Sequence, residues 1–318
     1  MITSRPAEVA VRATALVGEG PLWDAGAGRL YWVDIASGAV HRSDLDTGTG
    51  TCTVYGGNVS ALALTRDGGL VAAMRHGYAR LDGDRLRDVQ HVLPDGYRMN
   101  DAKCDPAGRF AAGGLRADFA PGRGSLWMWD GAGPPVQVRD GLSQPNGIAW
   151  NPPGDVFYLC DTVQRVVTAS AYDPGTGRMG PPAPLITFTA ADGQADGMCA
   201  DADGCLWIAM WGGGEVRRYD PAGRLIGRIV VPVSQPSCPA FAGGTRLAIT
   251  SARAGLDDGD LSRQPLAGSV FVADAGVEGV PVGRFGRSGA VFPDTASADA
   301  GCRDAAPPAG PVPGECGR

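Results

Sequence analysis

Short apolar runs, each introduced by a polar residue and a glycine turn, recur along most of the chain. Asp24 leads through Gly28 to Leu30-Tyr31-Trp32-Val33, and Thr65 leads through Asp67-Gly68 to Leu70-Val71-Ala72-Ala73. Asp105 leads through Gly108 to Phe110-Ala111-Ala112, and Asn151 through Gly154 to Val156-Phe157-Tyr158-Leu159. Asp201 leads through Gly204 to Leu206-Trp207-Ile208, and Phe241 through Gly243-Gly244 to Leu247-Ala248-Ile249. Runs this short, bounded by turn residues and lacking a 3.6-residue period, predict buried strands rather than helices. The turn glycines Gly28, Gly68, Gly108, Gly154, Gly204 and Gly244 are spaced 40, 40, 46, 50 and 40 residues apart. A period of that length with several strands per unit predicts an all-β fold, a six-bladed β-propeller. A propeller ring must be closed, and the extended segment Ala7 to Thr14 is expected to close it as an N-terminal strand in the last blade.

The repeat phase also locates candidate chemistry. Five residues before each turn residue stand Glu19, Ser60, Asn100, Asn146, Asp196 and Pro236. In a propeller, equivalent positions of the innermost strands form a ring about the central channel. Four of the six carry Glu, Asn, Asn and Asp. Any one of these could be an ordinary strand-end polar residue, but four in one phase predict an oxygen-rich cluster at a channel mouth. The three histidines, His41, His76 and His91, lie off this phase, with His41 and His91 in polar stretches between expected strands. No Gly-x-Ser-x-Gly elbow and no phosphate-cradling Gly-Lys-Ser/Thr loop is present. Covalent Ser-His catalysis is thereby disfavoured, and metal-assisted chemistry remains.

Composition narrows the context. The 318 residues fit one large all-β domain, and a net charge of −6 argues against a nucleic-acid or membrane partner. The first twelve residues contain Arg5, Glu8 and Arg12 and no apolar stretch, so no signal peptide is expected there. Eight cysteines without a Cys-x-x-Cys pair suggest reduced thiols and a cytoplasmic setting. Of 28 basic residues only Lys103 is lysine. The propeller is expected over residues 1–292, followed by a disordered Ala/Pro/Gly-rich tail, 293–318. Ser269-Val270-Phe271-Val272-Ala273 reads as the last clear strand, with Gly283-Arg284-Phe285 as a candidate for one more.

Several motifs, taken in order, resemble those of the SMP-30/gluconolactonase/regucalcin family. They are Gly18-Glu19-Gly20-Pro21-Leu22-Trp23, Tyr31-Trp32-Val33-Asp34-Ile35, Arg98-Met99-Asn100-Asp101-Ala102-Lys103-Cys104-Asp105, Gln144-Pro145-Asn146-Gly147, Ala195-Asp196-Gly197-Met198 and Pro236-Ser237-Cys238. The resemblance runs from about residue 8 to 290. That family has a six-bladed propeller, in agreement with the repeat count. The resemblance implies one divalent metal ion held by Glu19, Asn146 and Asp196, and a sugar lactone whose hydroxyls are bound by Arg98 and Asn100. It also implies a substrate contact at Asp118, where the family usually has Glu. Asp101 and Lys103 would orient their neighbours or serve the structure. A set of two carboxylates and an amide oxygen suits Ca²⁺, Mg²⁺ or Mn²⁺ and can accept Zn²⁺ or Fe²⁺. Asp196 is the candidate general base for water attack on an aldonolactone such as glucono-, xylono- or arabinono-lactone. The alternatives are a calcium- or ligand-binding propeller without catalysis, and a related propeller esterase or phosphotriesterase. A monomer or weak homodimer is expected.

Overall fold

The computed structural model describes residues 2–286, and the expected tail over 293–318 lies outside them. Six sheets are present, and each of the six repeat units supplies one. The innermost strands are Gly18–Asp24, Val59–Leu64, Tyr97–Cys104, Pro145–Trp150, Gln194–Ala200 and Pro236–Phe241. Each touches the next, and the sixth returns to the first, so the blades form a closed ring. The inner strands are buried along almost their whole length, which is why they read as continuous apolar runs rather than alternating ones. The outermost strands, such as Gly50–Val54 and Arg85–His91, are mostly exposed. His41 and His91 therefore lie within strands, Ala39–Ser43 and Arg85–His91, and not between them as their polarity suggested. His41 stacks on Trp32 with ring centroids 3.9 Å apart. The apolar core lies between blades: Trp207, Val216 and Ile229 of the fifth pack with Leu247, Ile249 and Phe271 of the sixth.

Ring closure follows the expectation. Glu8–Val11 is the outer strand of the sixth sheet, antiparallel to Val270–Asp274, with Val9 opposite Phe271. The preceding strand, Thr3–Pro6, was not anticipated. It extends the fifth blade in parallel register with Leu225–Val230, so the N-terminus clasps two blades.

Four of the six turn residues of the repeat, Asp24, Asp105, Asn151 and Asp201, are staples. Asp105 accepts from the Arg109 N–H (2.7 Å), the Arg109 guanidinium (2.5 Å) and the Tyr172 hydroxyl (2.5 Å). Asn151 accepts from the N–H groups of Asp155 and Val156. Such Asx turns fix the tight reversal between the first two strands of a blade. Beyond the last strand the chain runs under this turn end of the ring. Ala202 N–H donates to the Glu278 carbonyl, Phe285 N–H to Leu64, and Gly286 N–H to Gly108. Gly283-Arg284-Phe285 thus contributes a single parallel bridge, Thr65 to Phe285, rather than a full strand. The six cysteines among the described residues are all unpaired. No helix among the described residues is long and apolar enough to cross a membrane.

Candidate active site

The end of the channel opposite the staples is built by one recurrent irregularity. In all six blades the pairing of the innermost strand with its neighbour slips at the ring position: between Glu19 and Leu22, Val59 and Ala61, Met99 and Ala102, Pro145 and Ile148, Ala195 and Met198, and Pro236 and Pro239. A bulge leaves a residue out of the ladder and re-aims its side chain. Beside these bulges the side chains of Glu19, Asn100, Asn146 and Asp196 turn into the channel mouth. Glu19, Asn146 and Asp196 are each followed by glycine, and two of these glycines set the spacing between blades. A Cβ on Gly147 would lie 2.6 Å from the Asp196 carbonyl, and one on Gly197 would lie 2.4 Å from the Cys238 sulfur. Only glycine allows the inner strands so close.

The ring residues are joined by a directional chain of hydrogen bonds. The Arg98 guanidinium donates from Nη1 to Asn100 Oδ1 (2.7 Å) and to the Met99 carbonyl (3.0 Å). Asn100 Nδ2 donates to Asn146 Oδ1 (3.0 Å) and to the Pro145 carbonyl (3.0 Å). Asn146 Nδ2 donates to Thr162 Oγ1 (3.0 Å), and that hydroxyl donates to the Ala195 carbonyl (2.7 Å), next to Asp196. Ser60, at the same phase in the second blade, donates to the Met99 carbonyl at 2.8 Å.

Charge is crowded at this mouth. Glu19, Asn146 and Asp196 are only 6%, 4% and 7% exposed. Burial holds the Glu19 carboxyl well above its usual range, and the charges of Asp196 and Asp101 push it further; the Gly20 N–H and the Lys103 ammonium act the other way. The Asp196 carboxyl is raised by burial and by Asp101, against Arg98, the Asn146 side chain and the Gly197 N–H. Desolvation and like charge both favour the neutral acid, so a cation bound among these oxygens would relieve both. Two carboxylates and an amide oxygen form a hard donor set that fits a divalent ion such as Ca²⁺, Mn²⁺ or Mg²⁺. No cluster of three or more His, Cys, Asp or Glu side chains suited to a metal occurs among the described residues. The ring instead pairs its two carboxylates with amides.

These residues open into a cleft of about 590 Å³ lined by Glu19, Arg98, Asn100, Asn146 and Asp196. Five of the six residues singled out from the sequence therefore come together. Asp118 does not line the cleft, although its neighbour Phe119 does. It is exposed, accepts from the Ala120 N–H at 3.1 Å and pairs with Arg116 at 3.1 Å. Asp101 and Lys103 point to the other side, into the channel interior; Lys103 Nζ donates to the Met198 carbonyl at 2.5 Å. Sequence reasoning missed Thr162 and Trp211, which also line the cleft. A signal existed in the second strands. Asp34 and Asp161 end two of them in equivalent register and cap the loops entering their own blades, and Ile35 and Thr162, the residues that follow, both reach the cleft.

Comparison with known proteins places this geometry. Residues 17–253 match the family model described as the SMP-30/Gluconolactonase/LRE-like region. The chain is 36% identical over 279 residues to pentonolactonase XacC of Haloferax volcanii, covering 85% of this chain and 95% of that protein. It is 35% identical to the L-arabinolactonase of Azospirillum brasilense, covering 85% and 92% of the two chains. Among solved structures, regucalcin from Agrobacterium tumefaciens, described as a calcium-binding protein, superposes with a TM-score of 0.82. It is 32% identical and covers 90% of this chain and 99% of its own.

Proposed function

This chain belongs to the SMP-30/gluconolactonase/LRE-like family, and from that membership and the mouth geometry we infer that it hydrolyses a sugar lactone with the help of one divalent metal ion. The observation that carries this reading is the convergence of Glu19, Asn146 and Asp196 in one cleft with Arg98 and Asn100. Glu19, Asn146 and Asp196 would hold the ion. Such an ion would supply Lewis-acid polarisation of the lactone carbonyl and positive charge beside the developing oxyanion. Asp196 takes the proton of the attacking water. Arg98 commits Nη1 to Asn100 and Met99, while Nε and Nη2 make no protein hydrogen bond among the described residues. Those free donors suit the hydroxyls of a polyol, and the planar fork fixes their direction. Relatives named for pentono- and arabinolactone support a five-carbon aldonolactone as the first substrate to test.

The test is a panel of pentono- and hexonolactones, one aryl ester and one phosphotriester, assayed after chelation and after add-back of Ca²⁺, Mn²⁺, Mg²⁺ or Zn²⁺. Lactone hydrolysis lost on chelation and restored by an ion is the expected result. Full turnover by protein shown metal-free by elemental analysis would remove the metal from the mechanism. Metal binding without turnover of any lactone would leave a binding propeller, and turnover of the phosphotriester alone a different hydrolase.

A further inference from the structure

The hydrogen-bond chain at the mouth contains a member outside the expected ligand and substrate set. We propose that Thr162 is a positioning residue for the metal site: its hydroxyl anchors the Asn146 amide nitrogen and so keeps Oδ1 turned toward Asn100, where an ion in the ring can reach it. The inference rests on the metal reading above.

The direction of every bond in the chain is determined from its two ends. The guanidinium of Arg98 can only donate, so the Asn100 group 2.7 Å away must be its carbonyl oxygen. Asn100 Nδ2 then faces Asn146, which must present its own oxygen. That leaves Asn146 Nδ2 pointing at Thr162, whose hydroxyl accepts it. At the other end the Ala195 carbonyl can only accept, so the Thr162 proton goes there. Thr162 is the one group in the chain that accepts and donates through a single atom, and a hydroxyl does both. It is 5% exposed, so no solvent water replaces it freely. Removing the hydroxyl leaves Asn146 Nδ2 without this acceptor in a buried site and frees the amide to rotate away. Outer partners that orient a metal's ligands in this way cost about 10- to 100-fold in metal affinity when lost.

The position explains why an amide can serve in the ring at all. A carboxylate presents oxygen whichever way it turns. An amide presents oxygen only when something holds its nitrogen on the far side. Asn146 is held twice, by Asn100 through its oxygen and by Thr162 through its nitrogen.

The experiment titrates chelator-stripped protein with calcium alone, by calorimetry at 25 °C, with no substrate present. Thr162→Val, equal in shape, should bind calcium about 10-fold more weakly than the parent, and Thr162→Ser should return to within about twofold. Thermal melts confirm that each variant is folded at the titration temperature; if Thr162→Val is not, Thr162→Ala takes its place with the same expectation. A purely structural role would lower the melting temperature without changing calcium affinity in the folded protein. Unchanged affinity in the hydroxyl-free variants, or a serine variant as weak as valine, overturns the proposal while leaving the metal reading intact. A parent protein that binds neither calcium nor manganese overturns both.

Discussion

Asp196 and Asp201 lie five residues apart, at the mouth and turn ends of the same innermost segment, and both are almost fully buried. Asp201 is saturated. One oxygen accepts from the N–H groups of Asp203 (3.0 Å) and Cys205 (2.9 Å), the other from Trp207 Nε1 (2.9 Å) and Arg218 Nε (2.8 Å). Asp196 has instead the repulsion of Asp101 and the help of Arg98, Asn146 and one N–H. The same side chain is a structural rivet at one end and an unmet electrostatic demand at the other. The difference teaches how to separate staple from site in this fold. What counts is whether donors saturate the carboxylate, not whether it is buried or repeated.

The largest effect is expected from breaking the rivet. Asp201→Ala leaves the Asp203 and Cys205 N–H groups and the Trp207 indole without their buried acceptor and removes one of two carboxylates from the half-buried Arg218, and it should cost about 3–5 kcal/mol of stability, read by denaturant unfolding. Turnover per folded molecule should stay near the parent's. A loss of turnover with stability intact would mean the two ends are not separable.

Breaking the site should do the opposite. Asp196→Asn keeps shape and an oxygen but removes charge and basicity, so kcat should fall by about 10²-fold or more at saturating metal, as loss of a general base implies. The melting temperature of the metal-free protein should hold or rise, because a repulsive charge is gone. Normal turnover at saturating metal would make Asp196 a ligand only, with the base elsewhere.

Arg98→Ala removes the free donors while leaving both carboxylates. A drop of roughly 10- to 100-fold in kcat/KM is expected, the value of a hydrogen bond to a charged group, with calcium still bound. Calcium lost along with the guanidinium would place Arg98 in metal retention instead of substrate capture.

The smallest effect sharpens the electrostatic side of the comparison. The folded-state carboxyl of Glu19 is raised, so its contribution is fully present below the unfolded value of about 4 and is lost as pH rises through the raised folded value. In chelated protein, Glu19→Gln should therefore gain stability over the parent as pH climbs above about 4, and added calcium should erase that gain. Melts across pH that show no such divergence would mean Glu19 carries no unmet charge.

Much of this was legible in the sequence because it depends on neighbours along the chain. The turn glycines and the apolar runs after them are local, so six blades could be counted from spacing alone. The ring positions Glu19, Ser60, Asn100, Asn146, Asp196 and Pro236 were legible because the distance from turn to ring position is the same five residues in every blade. The bulges that aim those residues were not, since a bulge is a property of pairing between two strands. Thr3–Pro6 gave no apolar signal, being exposed throughout, and its strand exists only because Leu225–Val230 offers an unpaired edge. Asp118 matched its motif position, yet Arg116 and the Ala120 N–H hold it outside the cleft.

The sequence by itself determined the repeat, the number of blades, the closing strand and the phase at which polar side chains meet the channel. Only the tertiary structure decided which polar residues were already satisfied. Arg218, Tyr172 and Thr162 reach Asp201, Asp105 and Asn146 from 17, 67 and 16 residues away along the chain. Hydrogen-bond partners at such separations are set by how strands and blades stack, and no local pattern encodes them. The chemistry of this protein collects where that stacking gathers charge without supplying the donors to quench it.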